Sequence, residues 1–251
     1  MKHFAKKKWG QNFLIDPNLL RKIIRTIDLS EKDNVLEIGP GEGVLTERIL
    51  PVVNGLAVIE IDPLLVEYLR SLDLITGCHI IHGDVLWLEL RTLPISKPVK
   101  VVGNIPYNIT SPILFWLIEQ RKDWSETYLM VQKEMALRLT GRVGTKSYGR
   151  LTVMTGAFLD IEKCFNIPPE VFVPRPKVDS AFIKITKKEK PIINDEQFEK
   201  FEKLVKAAFS KRRKMLQNSL SGFDISQAVK DKINFTRRPE TLSIAEFAEL
   251  I

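Results

Sequence analysis

Asn104-Ile105-Pro106-Tyr107 brings an amide, an aimed carbonyl and a flat ring together within four residues. It follows Val99-Lys100-Val101-Val102-Gly103, a short β-branched run that reads as a buried strand. It therefore falls where an open α/β sheet places its ligands. These residue types suit one task, which is making the exocyclic amine of a nucleobase act as a nucleophile. The lone pair of such an amine is delocalised into the ring, so it attacks electrophiles poorly. The Asn104 side-chain oxygen and the Ile105 carbonyl can accept its two hydrogens and favour a tetrahedral nitrogen, an effect that grows toward the transition state. Pro106 restricts Ile105 to extended geometry and so aims that carbonyl. Tyr107 offers a face on which the base can stack. The same four residues also read as a polar strand-end turn, and both readings stay open on this stretch alone.

The neighbouring strand ends carry matching chemistry. Gly39-Pro40-Gly41-Glu42-Gly43 directly follows Val35-Leu36-Glu37-Ile38, and its glycines let the backbone turn sharply and approach a ligand. Glu60 closes a second strand about twenty residues later, where a carboxylate can accept both ribose hydroxyls. This pair suits a dinucleotide as well as an adenosyl ligand, although the turn lacks the strict GxGxxG register. Asp84, after Ile80-Ile81-His82-Gly83, can accept from an adenine amino group. Gly, Glu, Asp and Asn at four successive strand ends form one site along the carboxyl edge of the sheet. A nicotinamide enzyme has no need of the last. His3, His79 and His82 form no evident triad, and Cys78 and Cys164 have no metal-ligand spacing.

The elements that must hold these residues alternate along the chain. Apolar spacing predicts a helix over Pro17 to Ile27, capped by Asp16. Strands are expected over Asn34 to Ile38, Gly55 to Ile61, His79 to His82 and Val99 to Gly103. Helices are expected from Val44 to Val53, from Pro63 onward and from Ser111 to Gln120. Strand 127–132 and helices 134–139 and 151–158 follow, and extended runs 161–167 and 178–185 read as a closing antiparallel pair. Such alternation implies a Rossmann-like α/β fold, a parallel sheet with helices on both faces. Beyond Lys190 the pattern is purely helical, over 196–209, 215–220, 225–233 and 244–250. The expected organisation is a catalytic, cofactor-binding domain over 1–190 and a small helical domain over 191–251.

At 251 residues, with 44% hydrophobic and 27% charged side chains, the chain can bury a full core. No apolar run approaches the roughly 20 residues of a membrane span. The basic N-terminal stretch lacks the apolar segment of a secretory signal, and two distant cysteines suit a reducing cytoplasm. A net charge of +7 suits a polyanionic partner. Lys7 and Lys8, Arg142 and Lys146, and Lys211-Arg212-Arg213-Lys214 are candidate phosphate contacts for a nucleic acid.

In order along the chain, further motifs complete a pattern. They are Gly10-Gln11-Asn12-Phe13-Leu14, Glu37-Ile38-Gly39-Pro40-Gly41, Glu60-Ile61-Asp62, Gly83-Asp84 and Gly103-Asn104-Ile105-Pro106-Tyr107-Asn108. Gln132-Lys133-Glu134, Gly144-Thr145-Lys146-Ser147-Tyr148-Gly149 and Phe172-Val173-Pro174-Arg175-Pro176-Lys177-Val178-Asp179-Ser180 follow. Nearly the whole chain thus resembles the S-adenosylmethionine-dependent rRNA adenine N6-dimethyltransferases, most of all those acting on the small subunit. The resemblance implies that Asn12 and Leu14 contact the cofactor with Gln11 beside them. It also implies that Gly39 lies against the methionine portion of the cofactor, Glu60 at its ribose and Asp84 at its adenine, with Gly41, Ile61 and Val85 among the cofactor contacts. Asn104 then lies between cofactor and target amine, with Tyr107 and Phe172 as stacking partners of the extruded base. The implied substrate is a pair of adjacent adenosines near the 3′ end of small-subunit rRNA, within a partly assembled subunit, met by a cytoplasmic monomer. Large-subunit methylation of the macrolide-resistance type and a non-catalytic ribosome-assembly role are the alternatives.

Overall fold

The computed structural model describes residues 9–211 and 214–251. The expected RNA contacts Lys7, Lys8, Arg212 and Arg213 lie outside the described residues. Two compact units emerge, one running to Lys133 and resuming over Glu162–Thr186, the other formed by Glu134–Ile161 with Lys187–Ile251.

The first unit holds most of a seven-stranded sheet. Its strands are β2 (Asn34–Ile38), β3 (Gly55–Glu60), β4 (His79–His82), β5 (Val99–Asn104), β6 (Trp124–Gln132), β7 (Leu159–Ile167) and β9 (Ser180–Lys187), in the spatial order β4-β3-β2-β5-β6-β9-β7. A separate two-stranded pair joins β1 (Phe13–Leu14) to β8 (Phe172–Val173). From β4 to β6 neighbouring strands run parallel, and β9 is antiparallel to β6. The chain moves outward from β2 in both directions, so right-handed crossovers put the connecting helices on opposite faces. The strand order therefore reverses between β2 and β5, where open α/β sheets bind ligands. Register brings those ends level, with Ile38 opposite both Ile59 and Gly103, and Glu60 opposite His82.

Helix α1 (Pro17–Ile27) begins where Asp16 caps the Leu19 N–H at 2.6 Å. It buries Leu20, Ile23 and Ile27 against Val35, Val58, Val102, Met130 and Phe182 of the sheet. Each such side chain contributes about 1.5–3 kcal/mol. The helix expected over 44–53 is a single turn, α2 (Thr46–Ile49). Gly43 sits at φ 82° before it, and Pro51, which has no N–H to donate, ends it. Helices α3 (Pro63–Arg70) and α4 (Thr110–Glu119) match their expected positions. No helix among the described residues is long and apolar enough to cross a membrane.

The second unit is helical, but it does not start at residue 191. Helix α5 (Lys133–Leu139) leads into it, and α6 (Arg150–Gly156) joins α7 (Phe198–Ser210), α8 (Leu216–Ser219), α9 (Gln227–Lys232) and α10 (Ile244–Glu249). Arg150 pairs with Glu202 at 2.7 Å, Gly144 N–H donates to the Glu240 carbonyl at 2.7 Å, and the Phe158 and Phe198 rings lie 5.8 Å apart. These bonds tie 134–161 to the C-terminal helices, whereas the sequence pattern there only continues the alternation of helix and strand.

Candidate active site

One cleft at the carboxyl edge of the sheet collects the strand-end residues. Its lining includes Gln11, Asn12, Leu14, Gly39, Gly41, Glu60, Ile61, Asp84, Val85, Asn104, Ile105 and Pro106. With its open mouth it encloses about 960 Å³ of empty space. Gly39 and Gly41 take φ of 67° and 60°, where any other residue is strained. A Cβ on Gly41 would also meet the Phe13 ring at 3.0 Å. Backbone thus approaches the cleft more closely than a side chain allows.

Segment 10–14 forms a strap along this cleft. Pairing of Phe13 with Val173 and of Leu14 with Phe172 secures one end. Asn104 Nδ2 donates to the Asn12 carbonyl at 2.8 Å. Only the amide nitrogen can make that bond, so it also sets the direction of Oδ1. Among the described residues no donor engages Asn104 Oδ1 or the Ile105 carbonyl. Two acceptors therefore stand ready at the strand end.

The cleft is acidic, and none of its described lining residues is basic. Glu60 is buried, and its carboxylate accepts the Ile61 and Asp62 N–H groups at 2.9 Å and the Gly41 N–H at 3.4 Å. Burial still raises its pKa above the usual value. Asp84 Oδ1 caps the Leu86 N–H at 3.0 Å, which leaves Oδ2 for a ligand. Glu37, 2% exposed, receives the Thr46 hydroxyl at 2.6 Å, and burial pushes its pKa up to about 7. This set fits an adenosyl donor carrying a sulfonium. Close backbone at Gly39 and Gly41 admits the ligand, Glu60 can take the ribose hydroxyls and Asp84 an adenine amine, and the field favours a positive centre.

Tyr107 and Phe172 are placed differently from one another. Tyr107 is half-buried just beyond the cleft lining, with its hydroxyl 2.6 Å from Ser180 Oγ, and burial raises its pKa. Phe172 is 2% exposed inside the core cluster with Leu14, Leu20 and Phe182. Neither aromatic lines the cleft, but whereas Tyr107 stays half-exposed, the Phe172 ring is covered by the core and presents no open face to a base in this arrangement. Its place opposite Leu14 in the β1–β8 pair explains why. Arg142, Lys146, Lys211 and Lys214 are exposed in the second unit.

Three participants were not assigned from sequence. Glu37 could have been found as a charge inside an otherwise apolar strand. Asp62 and Ser180 stand inside motifs quoted above but drew no role of their own, because a cap before Pro63 and a strand-start serine are common.

A model of the ribosomal RNA adenine dimethylase family matches residues 2–251. The chain belongs to this family. Among its relatives is a ribosomal RNA small subunit methyltransferase A from Prosthecochloris aestuarii, 43% identical over 98% of this chain and 92% of the relative. The fold is also that of a dimethyladenosine transferase from Plasmodium falciparum, with a TM-score of 0.81, 28% identity and 95% of each chain covered. The 23S rRNA methyltransferase ErmE superposes with a TM-score of 0.74 and 30% identity, covering 95% of this chain and 98% of its own.

Proposed function

We propose that this adenine dimethylase transfers methyl groups from S-adenosylmethionine to N6 of two adjacent adenosines near the 3′ end of small-subunit rRNA. The product is N6,N6-dimethyladenosine, and the reaction serves small-subunit maturation. One observation carries the reading: Asn104 Oδ1 and the Ile105 carbonyl are free acceptors beside a cleft that suits the donor. The small subunit is favoured by 43% identity, over 98% of this chain, to a relative named as a small-subunit methyltransferase.

Bound S-adenosylmethionine supplies an electrophilic methyl on a sulfonium sulfur. The chain supplies the nucleophile's geometry. Asn104 Oδ1 and the Ile105 carbonyl each hold one N6 hydrogen, drawing the amine out of conjugation so that its lone pair faces the cleft. The interaction is strongest as the nitrogen becomes cationic, so it lowers the barrier. No general base is needed, because the methylated amine is cationic and acidic enough to release its proton to water. Tyr107 stacks on the extruded base, with Ser180 holding its hydroxyl in place. The adenosine must leave its stack to arrive, which costs a few kcal/mol and is easiest in a loop. Arg142, Lys146, Lys211 and Lys214 bear on RNA phosphates. The enzyme works as a cytoplasmic monomer on a pre-assembled small subunit.

Labelled donor tests the assignment with small and large subunits from cells lacking this enzyme. Label should enter small-subunit RNA as N6,N6-dimethyladenosine. Label confined to large-subunit RNA refutes the assignment.

A further inference from the structure

Asp62 stands outside the acceptor pair, yet it is 2% exposed and bonds in two directions. Its Oδ1 caps helix α3 by accepting the Leu64 N–H at 3.1 Å. Its Oδ2 accepts Gln11 Nε2 at 3.2 Å. Gln11 belongs to the strap, and the next residue gives Asn104 its anchor through the Asn12 carbonyl. On the far side the strap is tied by the β1–β8 pair and by the Ile15 N–H, which donates to the Val171 carbonyl at 2.9 Å. At its start Gly10, at φ 61°, lies so close to the Asn104 motif that a Cβ there would meet Pro106 Cβ at 3.3 Å. The strap is therefore held at both ends and touches the acceptor motif between them.

We propose that Asp62 is a positioning residue for methyl transfer. It pins Gln11, the pinned strap sets the Asn12 carbonyl, and that carbonyl turns the Asn104 oxygen toward the incoming amine. Helix α3 supplies the rigidity, since one carboxylate serves both its cap and the pin. Gln11 thus serves through Asp62, in addition to its place in the cleft lining. This inference rests on the proposed methyl transfer, because it assigns a role toward the Asn104 acceptor.

A reciprocal exchange tests it. Gln11→Glu sets two carboxylates against each other and releases the pin. Asp62→Asn keeps a good helix cap and offers an amide in place of the lost acceptor. In the Gln11→Glu/Asp62→Asn double variant the pair reforms with donor and acceptor exchanged. Three quantities are read: hydrogen exchange of amides 11–14, calorimetric binding of S-adenosylhomocysteine, and kcat separately from KM. The single Gln11→Glu variant should speed exchange in the strap by about tenfold, weaken ligand binding and lower kcat. The double variant should return strap exchange to within about threefold of the parent and recover part of the kcat lost in Gln11→Glu. A double variant whose strap exchanges as fast as that of Gln11→Glu overturns the pin and makes Gln11 a direct ligand contact alone. Unchanged strap exchange in Gln11→Glu also overturns it. If the unaltered enzyme binds no S-adenosylhomocysteine, the functional reading fails instead, and the exchange measurement still decides the pin.

Discussion

Replacing Asn104 separates the acceptor from its anchor. Asn104→Ala removes both the oxygen facing the amine and the nitrogen bonded to the Asn12 carbonyl at 2.8 Å. Loss of one preorganised dipole at a reacting centre costs about 2.7–4 kcal/mol, or about 10²–10³ in kcat. The anchor adds about 1 kcal/mol, since a neutral hydrogen bond is exchanged for water. Asn104→Asp keeps an acceptor but sets a carboxylate oxygen against the Asn12 carbonyl, so it loses the anchor and gains repulsion. The expected order of kcat is therefore parent, then Asp, then Ala, with Ala lowest by about three orders of magnitude. Cofactor affinity should change less than about tenfold in Ala, because only the anchor bears on the strap. Single-turnover methyl transfer to small subunits, beside calorimetry with S-adenosylhomocysteine, separates the two effects. An Ala variant that keeps a tenth or more of parental kcat refutes the acceptor-pair mechanism.

Glu37 makes stability depend on pH. Burial raises its folded pKa from 4.5 to about 7, so the folded state holds this proton more tightly than the unfolded chain. Its favourable contribution is complete below 4.5 and is lost as pH rises through about 7, amounting to roughly 3 kcal/mol. Denaturant melts should show Glu37→Gln gaining on the parent between pH 5 and pH 8, and equal differences at both pH values would contradict this. Gly41→Ala places a side chain at φ 60° and 3.0 Å from the Phe13 ring, so donor affinity should fall about fivefold to thirtyfold, matching about 1–2 kcal/mol of backbone strain. Unchanged calorimetric affinity would place the ligand away from this turn. Neutralising Lys211 and Lys214 together should lower the slope of log K against log salt by about 1.4 for a single-stranded loop. An unaltered slope removes both lysines from the RNA interface.

The sheet was legible because its strands are long enough to show a pattern. Val35 to Ile38 and Val99 to Gly103 are bounded by turn residues, and their largely apolar runs, each interrupted by one charged residue, mark buried parallel strands. The β1–β8 pair was not legible, since two residues on each side carry no periodicity. The unit boundary was misplaced for a related reason. Helices α5 and α6 continue the alternation that builds the sheet, and only their contacts, such as Arg150 with Glu202, assign them to the C-terminal helices. Local pattern reports what an element is and not which neighbours it chooses.

The site divides along the same line. Gly39, Glu60, Asp84 and Asn104 were readable because each ends a strand or closely follows one, and parallel register brings all strand ends to one edge. Phe172 was read as a stacking face, yet its ring packs in the core opposite Leu14. Spacing within a motif cannot tell which face of a two-residue strand turns inward. This placement gives the aromatic a different consequence. Phe172 backs the strap through Leu14, the strap presents the Asn12 carbonyl, and that carbonyl directs Asn104. Truncating Phe172 should therefore disturb catalysis through the strap, loosening Leu14 and ligand binding together, whereas truncating Tyr107 should spare cofactor affinity and impair only capture of the base. The two aromatics, alike in sequence, are separated by what lies behind each ring.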